Sequence, residues 1–243
     1  MRYIEKNYTT NAVQTHSVEL KAQSLDENSL LNPAIYPGET GRKLWKRVRD
    51  IKVIPHFWDL KRQMMDEQGG ICCYCGLKIN FDTDRKAAVE HLKPKGIYRE
   101  LVGEYKNLLL CCSLTQDETE DINNDTVTDN DVKHCDDTKG DEQLNYTPLQ
   151  ADCSMHFSYD ITGHIIPTDP GSETDIRTLN LDCPALVDRR KMAMNILFDE
   201  SGTMLSDEEL RLLSDSIMQR QGDGTFREFC FVIKSTIDNL LNL

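Results

Sequence analysis

No stretch of the 243 residues approaches the run of about 18 apolar residues that a membrane-crossing helix needs, so no membrane partner is expected. The opening MRYIEKNYTT carries charge without an apolar core, and no secretory signal is expected. Aromatic residues make up 7% and hydrophobic ones 39%, on the polar side for a globular chain. Positive charge is in deficit. The 28 Lys and Arg face 41 Asp and Glu, a net charge of −13, which excludes coating nucleic acid through bulk charge. Cysteine, by contrast, is abundant. Nine thiols without an export signal point to a reducing cytoplasm, where clustered cysteines suggest metal rather than disulfides. A chain of this length buries a core without disulfide scaffolding.

Charge is unevenly placed. Between Gly41 and Arg62 eight cations stand against Asp50 and Asp59 alone, interleaved with Trp45, Phe57 and Trp58. Such a run is either a solvated helix face or a local basic surface. Three segments follow from the pattern. Residues 1–70 form an N-terminal segment with this basic helical region, read as a helix over Lys43–Glu67 interrupted at Pro55 and stopped by Gly69-Gly70. Residues 71–145 hold the chemistry. Residues 146–243 read as a hairpin, Phe157–Ile161 and His164–Ile166 about Thr162-Gly163, then as helices. Those helices cover Leu186–Phe198, a segment opened by the capping pair Ser206 and Glu209 and running through Leu210–Met218, and Thr225–Leu243, a support or docking module.

Ser113–His134 carries seven acids against Lys133 alone and is poor in apolar residues, so a mobile surface loop is expected. Asp121, Asn123 and Asp125 match the first ligands of a calcium loop, but Thr126 replaces its glycine and Val132 its terminal Glu, which rejects that reading.

Cys72 and Cys75 form a C-x-x-C knuckle, a spacing that points two thiolates at one metal. Cys111, Cys112 and Cys135 follow, and two late thiolates would close a tetrahedral, structural Cys₄ zinc site. Cys153, Cys183 and Cys230 fit buried, inert cysteines better. Between the cysteines lie Glu90-His91-Leu92-Lys93-Pro94, then Asn107-Leu108, then Cys135-Asp136-Asp137-Thr138-Lys139-Gly140.

This order, C-x-x-C, Glu-His-x-x-Pro, Asn-Leu-x-x-x-Cys and Cys-Asp-x-x-Lys-Gly, resembles the zinc-knuckle branch of the HNH endonucleases. More narrowly it resembles the PtuB family, HNH partners in Septu-type and retron-associated antiphage systems. Thr147-Pro148-Leu149, Phe157-Ser158-Tyr159 before Gly163, and Leu179-Asn180-Leu181 followed by Arg189 extend the resemblance. It is strongest over residues 71–141 and thin after Lys191. It implies an α+β fold with a ββα-metal core and a zinc knuckle, embedded in mainly helical flanks. It further implies a metal-dependent endonuclease acting on DNA, with an ATPase subunit as partner in antiphage defence; RNA such as tRNA is the alternative substrate. A non-catalytic zinc-stabilised interaction module is the competing reading.

The resemblance also assigns roles. His91 is the general base, as suits a group whose ordinary pKa lies near neutrality. Glu90 and Asp136 hold a catalytic Mg²⁺ or Mn²⁺ ion, although adjacent strand residues share a site only through a bulge or twist. Asn107 orients the loop and the base, and Lys139, Lys93 and Lys95 hold phosphate. Five residues after the Asn is the family's zinc position, which selects Cys112 over Cys111 to join Cys72, Cys75 and Cys135. Asp136 stands where most HNH enzymes carry His or Asn, with His134 as a substitute ligand.

Overall fold

The computed structural model describes residues 1–82, 86–124 and 126–242. Asp125 of the acidic segment and Leu243 of the expected last helix lie outside the described residues. Helix α1 (Asn11–Leu25) is capped by the Thr10 hydroxyl and buries only Val13 and His16. The basic region is two helices, α2 (Gly41–Val48) and α3 (Phe57–Gln68). The break encloses the expected Pro55, because the chain leaves the helix at Arg49 and re-enters it at Phe57. Phe57, Leu60 and Met64 form the buried face, and Gly69 ends α3 at φ +63°, a conformation that glycine adopts without a Cβ penalty.

Strand β1 (Ala87–His91) pairs antiparallel with β2 (Leu108–Cys112), from Ala87 opposite Cys112 to His91 opposite Leu108 without a skipped residue. All five residues of β2 are buried. Its outer edge is held by Gln68, whose amide accepts from Leu110 N at 2.7 Å and donates to Leu110 O at 2.7 Å, so a side chain serves as the missing strand. The acidic segment is structured where a mobile loop was expected. It folds as α4 (Gln116–Asn123), with a Thr115–Glu118 capping box, and α5 (Asp129–Val132). Asn180 ties it down by donating to the carbonyls of Asn130 and Lys133. A single turn, α6 (Asp136–Lys139), follows.

The predicted hairpin is present as β3 (Phe157–Tyr159) and β4 (Ile165–Pro167), with Gly163 at φ +92° in its turn. Helices α7 (Pro170–Thr178), α8 (Pro184–Ala193), α9 (Asp207–Ile217) and α10 (Cys230–Leu240) complete the chain. Ser206 and Glu209 form the expected capping box on α9. The last helix starts five residues later than the periodicity suggests, because Phe229 takes a left-handed conformation at its N-cap. The architecture is therefore α+β, with two small antiparallel sheets among the described residues. Its continuous core draws on all three segments, from Met1 through Cys72 and Leu109 to Ile237. No described helix is long and apolar enough to cross a membrane.

Candidate functional site

The sulfurs of Cys72, Cys75, Cys112 and Cys135 all lie within 4.8 Å of one another, and all four residues are buried. Cys72 Sγ is 3.8 Å from Cys135 Sγ, and Cys75 Sγ is 3.7 Å from Cys112 Sγ. Four thiolates about 2.3 Å from one zinc stand about 3.8 Å apart, so these separations match the edges of a zinc tetrahedron. Burial raises the Cys72 thiol, but hydrogen bonds from Cys112, Cys135, Cys73 and Cys75 outweigh it and hold Cys72 well below its ordinary value. Burial likewise opposes the same kind of contacts at Cys75, which settles at about 7. The cluster can hold a metal ion such as zinc. His134 is not in this set; its Nδ1 lies 3.2 Å from Cys135 Sγ and 3.6 Å from Cys112 Sγ, as an outer neighbour of the thiolates. Cys135 stands at φ +60°, a conformation that costs a non-glycine residue about 1–3 kcal/mol and is kept only where its surroundings dictate it.

Strand alternation separates the two adjacent cysteines. Cys112 faces the four-thiol cluster, and Cys111 faces the side that carries Glu90. There Glu90, Cys111 and Asp136 form a second group, with ligand atoms within 4.8 Å. Glu90 Oε1 accepts from the Tyr74 hydroxyl at 2.7 Å and pairs with Lys139 Nζ at 2.8 Å. Tyr74 lies inside the C-x-x-C knuckle, so the thiol cluster and the carboxylate are held by one short loop. Glu90 Oε2 is buried with no donor to it among the described residues. Burial first, then the neighbouring Asp136 carboxylate, push Glu90 up to about 8, against the pull of Lys139. Two crowded carboxylates with an unanswered buried oxygen are a fit for a hard divalent cation.

His91 is buried at the end of β1, with the edge of Trp45 from α2 at 4.6 Å between ring centroids. Its Nε2 lies 3.0 Å from the Val102 carbonyl, which only accepts, so Nε2 carries the hydrogen and Nδ1 is left as a bare, buried lone pair. Burial, with the nearby Lys95 ammonium, pushes the imidazole down to about 4, which keeps it neutral near pH 7. Asn107 fixes the turn beyond it. Its Oδ1 accepts from Lys93 N at 2.7 Å, and its Nδ2 donates to Lys93 O at 3.0 Å and Leu101 O at 3.3 Å.

The ladder has no bulge, so Glu90 and His91 project to opposite faces of β1. Lys139 joins them instead, its ammonium donating to the His91 carbonyl at 2.9 Å while paired with Glu90. That contact corrects the expectation for Lys139. It is buried and internally committed rather than presented to a phosphate. Lys93 is exposed and Lys95 half-buried. Sequence reasoning missed Tyr74, Val102, Trp45 and the placement of Cys111. Only Cys111 left a signal, as the neighbour of a zinc ligand on a strand. Compared with known proteins, the chain matches no protein-family model and no curated protein.

Proposed function

We propose that this chain is a metal-dependent HNH-type endonuclease, an effector of a bacterial antiphage defence system that works in the cytoplasm with an ATPase subunit, and that it hydrolyses phosphodiester bonds, in DNA before RNA. The observation that carries the reading is a neutral histidine with a fixed tautomer and a bare Nδ1, set on the opposite face of β1 from the Glu90–Asp136 carboxylate pair and linked to it through Lys139. Hydrolysis of a phosphodiester needs a group to take the proton of the attacking water and a cation beside the developing charge. His91 Nδ1 takes that proton. The Val102 carbonyl then stabilises the imidazolium through the Nε2–H bond already in place. Asn107 keeps Lys93 and the turn after His91 in register. Glu90 and Asp136 would hold Mg²⁺ or Mn²⁺, which would supply Lewis-acid stabilisation of the negative charge that develops on the phosphate. Nδ1 is enclosed in the free chain, so the reading requires that substrate binding open it to water.

The basic helix supports a nucleic-acid substrate. Arg42, Lys43, Lys46, Arg47 and Arg49 are exposed, while Trp45 on the same helix packs against His91. Gly41 brings the start of α2 against the Lys95 carbonyl, where any Cβ would overlap the oxygen. Phosphates gathered on α2 therefore lie beside the proposed base.

The test is cleavage of supercoiled plasmid and of total tRNA in Mg²⁺ or Mn²⁺, with EDTA as control, by wild type and Asp136→Asn each loaded with one equivalent of zinc. The reading expects plasmid cleavage that EDTA and Asp136→Asn both abolish. EDTA-insensitive cleavage would overturn it, and cleavage of tRNA alone would move the substrate to RNA.

A further inference from the structure

The carboxylate pair is not purely an oxygen site. Cys111 offers its sulfur together with one oxygen each from Glu90 and Asp136, all within 4.8 Å, on the face of β2 opposite the four-thiol cluster. An independent observation points to a missing ligand there. Glu90 is fully buried, its Oε2 finds no donor among the described residues, and its carboxyl meets the Asp136 carboxylate, a contact that only a shared proton or a cation can satisfy. Charge also bears on the site. Lys139 Nζ, 2.8 Å from Glu90 Oε1, cancels one of the two carboxylate charges. A divalent ion added to Glu90, Asp136 and Lys139 would leave a buried net charge of +1, which a low-dielectric interior disfavours. A thiolate at Cys111 brings that sum to zero.

We propose that Glu90, Cys111 and Asp136 form a second metal centre with an oxygen, oxygen, sulfur donor set, which takes thiophilic divalent ions, zinc ahead of manganese and magnesium. The thiol proton leaves to solvent as the sulfur–metal bond forms. Soft thiolate donors favour zinc, whereas a site of carboxylates alone suits magnesium or manganese. Asp136 is half-buried while Glu90 and Cys111 are fully buried, so the ion enters past Asp136. The binding claim stands apart from the nuclease reading. Its consequence, that zinc displaces the magnesium or manganese used in cleavage, rests on that reading.

The experiment measures metal content, not cleavage. Full-length protein is equilibrated with Zn²⁺ and its zinc counted, for wild type, Cys111→Ser and Asp136→Asn. Wild type takes two equivalents and each variant keeps one, with affinity for the second falling about a hundredfold or more in Cys111→Ser. Co²⁺ added to the one-zinc protein, without release of that zinc, produces a thiolate-to-cobalt charge-transfer band in wild type and none in Cys111→Ser. A wild-type protein that saturates at one zinc overturns the proposal. So does a Cys111→Ser protein that binds the second zinc as tightly as wild type. If Cys111→Ser fails to retain even the first zinc, Asp136→Asn decides: loss of only the second equivalent supports the centre, and retention of both overturns it.

Discussion

A lysine shut away from solvent persists where its charge is answered, and Lys139 is answered by Glu90 Oε1 and the His91 carbonyl. Lys139→Met is expected to lower stability by about 3 kcal/mol, the low end for breaking a buried pair, because Glu90 can take up a proton in compensation. Urea denaturation of the zinc-loaded proteins reads this directly. Lys6 is the opposite case. Its ammonium lies over the Tyr105 ring, 3.9 Å from Glu67, with no hydrogen-bond partner, and burial pushes it down to about 8. Between pH 8 and 10.5 the unfolded chain holds this proton and the folded chain does not, so stability rises with pH across that window, by at most about 3 kcal/mol. Stability measured against pH in wild type and Lys6→Met should show that rise only in wild type. Neither lysine was readable from sequence, where lysines default to the surface. Cys112 could be chosen over Cys111 from the motif spacing, but the second role of Cys111 depends on which residues strand β1 and helix α6 bring to its other side.

At the scale of elements, α2 is where an acidic chain concentrates positive charge, and its buried side touches the proposed base. Changing Arg42, Lys46, Arg47 and Arg49 together to Gln should weaken binding to duplex DNA at low salt. It should also reduce the slope of log affinity against log salt by up to about 4, since each phosphate contact contributes about 0.9. Fluorescence anisotropy across a salt series in Ca²⁺ or EDTA separates this from cleavage. An unchanged slope would place the nucleic acid elsewhere. Elements with a strong local signature were readable: the knuckle at Cys72 and Cys75, the β3–β4 turn at Gly163, and the Ser206 cap. Helix α1 was not, because it buries just Val13 and His16 and has no apolar stripe. The acidic segment misled for a related reason. It is poor in apolar residues, but α4 is nucleated by the Thr115–Glu118 capping box and the segment is latched from outside by Asn180.

For the whole molecule, the four-thiol cluster ties together the loop after α3, the end of β2 and the turn before α6, three places far apart in sequence. Removing zinc with a strong chelator is expected to lower Tm by about 10 °C or more, from the loss of several kcal/mol of binding free energy. Scanning calorimetry of metal-free and reloaded protein checks it, and reloading should restore the transition. The core spanning all three segments is why partial rather than complete unfolding is expected. The C-x-x-C knuckle could be read from spacing, and the α+β class and the choice of Cys112 from the family resemblance. The tautomer of His91 could not, because it is set by the Val102 carbonyl, eleven residues further on. A net charge of −13, with positive charge concentrated on α2, is consistent with the proposed dependence on a partner subunit, since such a chain engages nucleic acid weakly alone. The central claim is that His91 is the base of a phosphodiesterase site. It is tested most directly by comparing plasmid cleavage by wild type and His91→Ala, both folded and of equal zinc content, alone and with the proposed ATPase partner. The account predicts cleavage by wild type that His91→Ala loses, with DNA binding retained. Equal cleavage by the two proteins would contradict it.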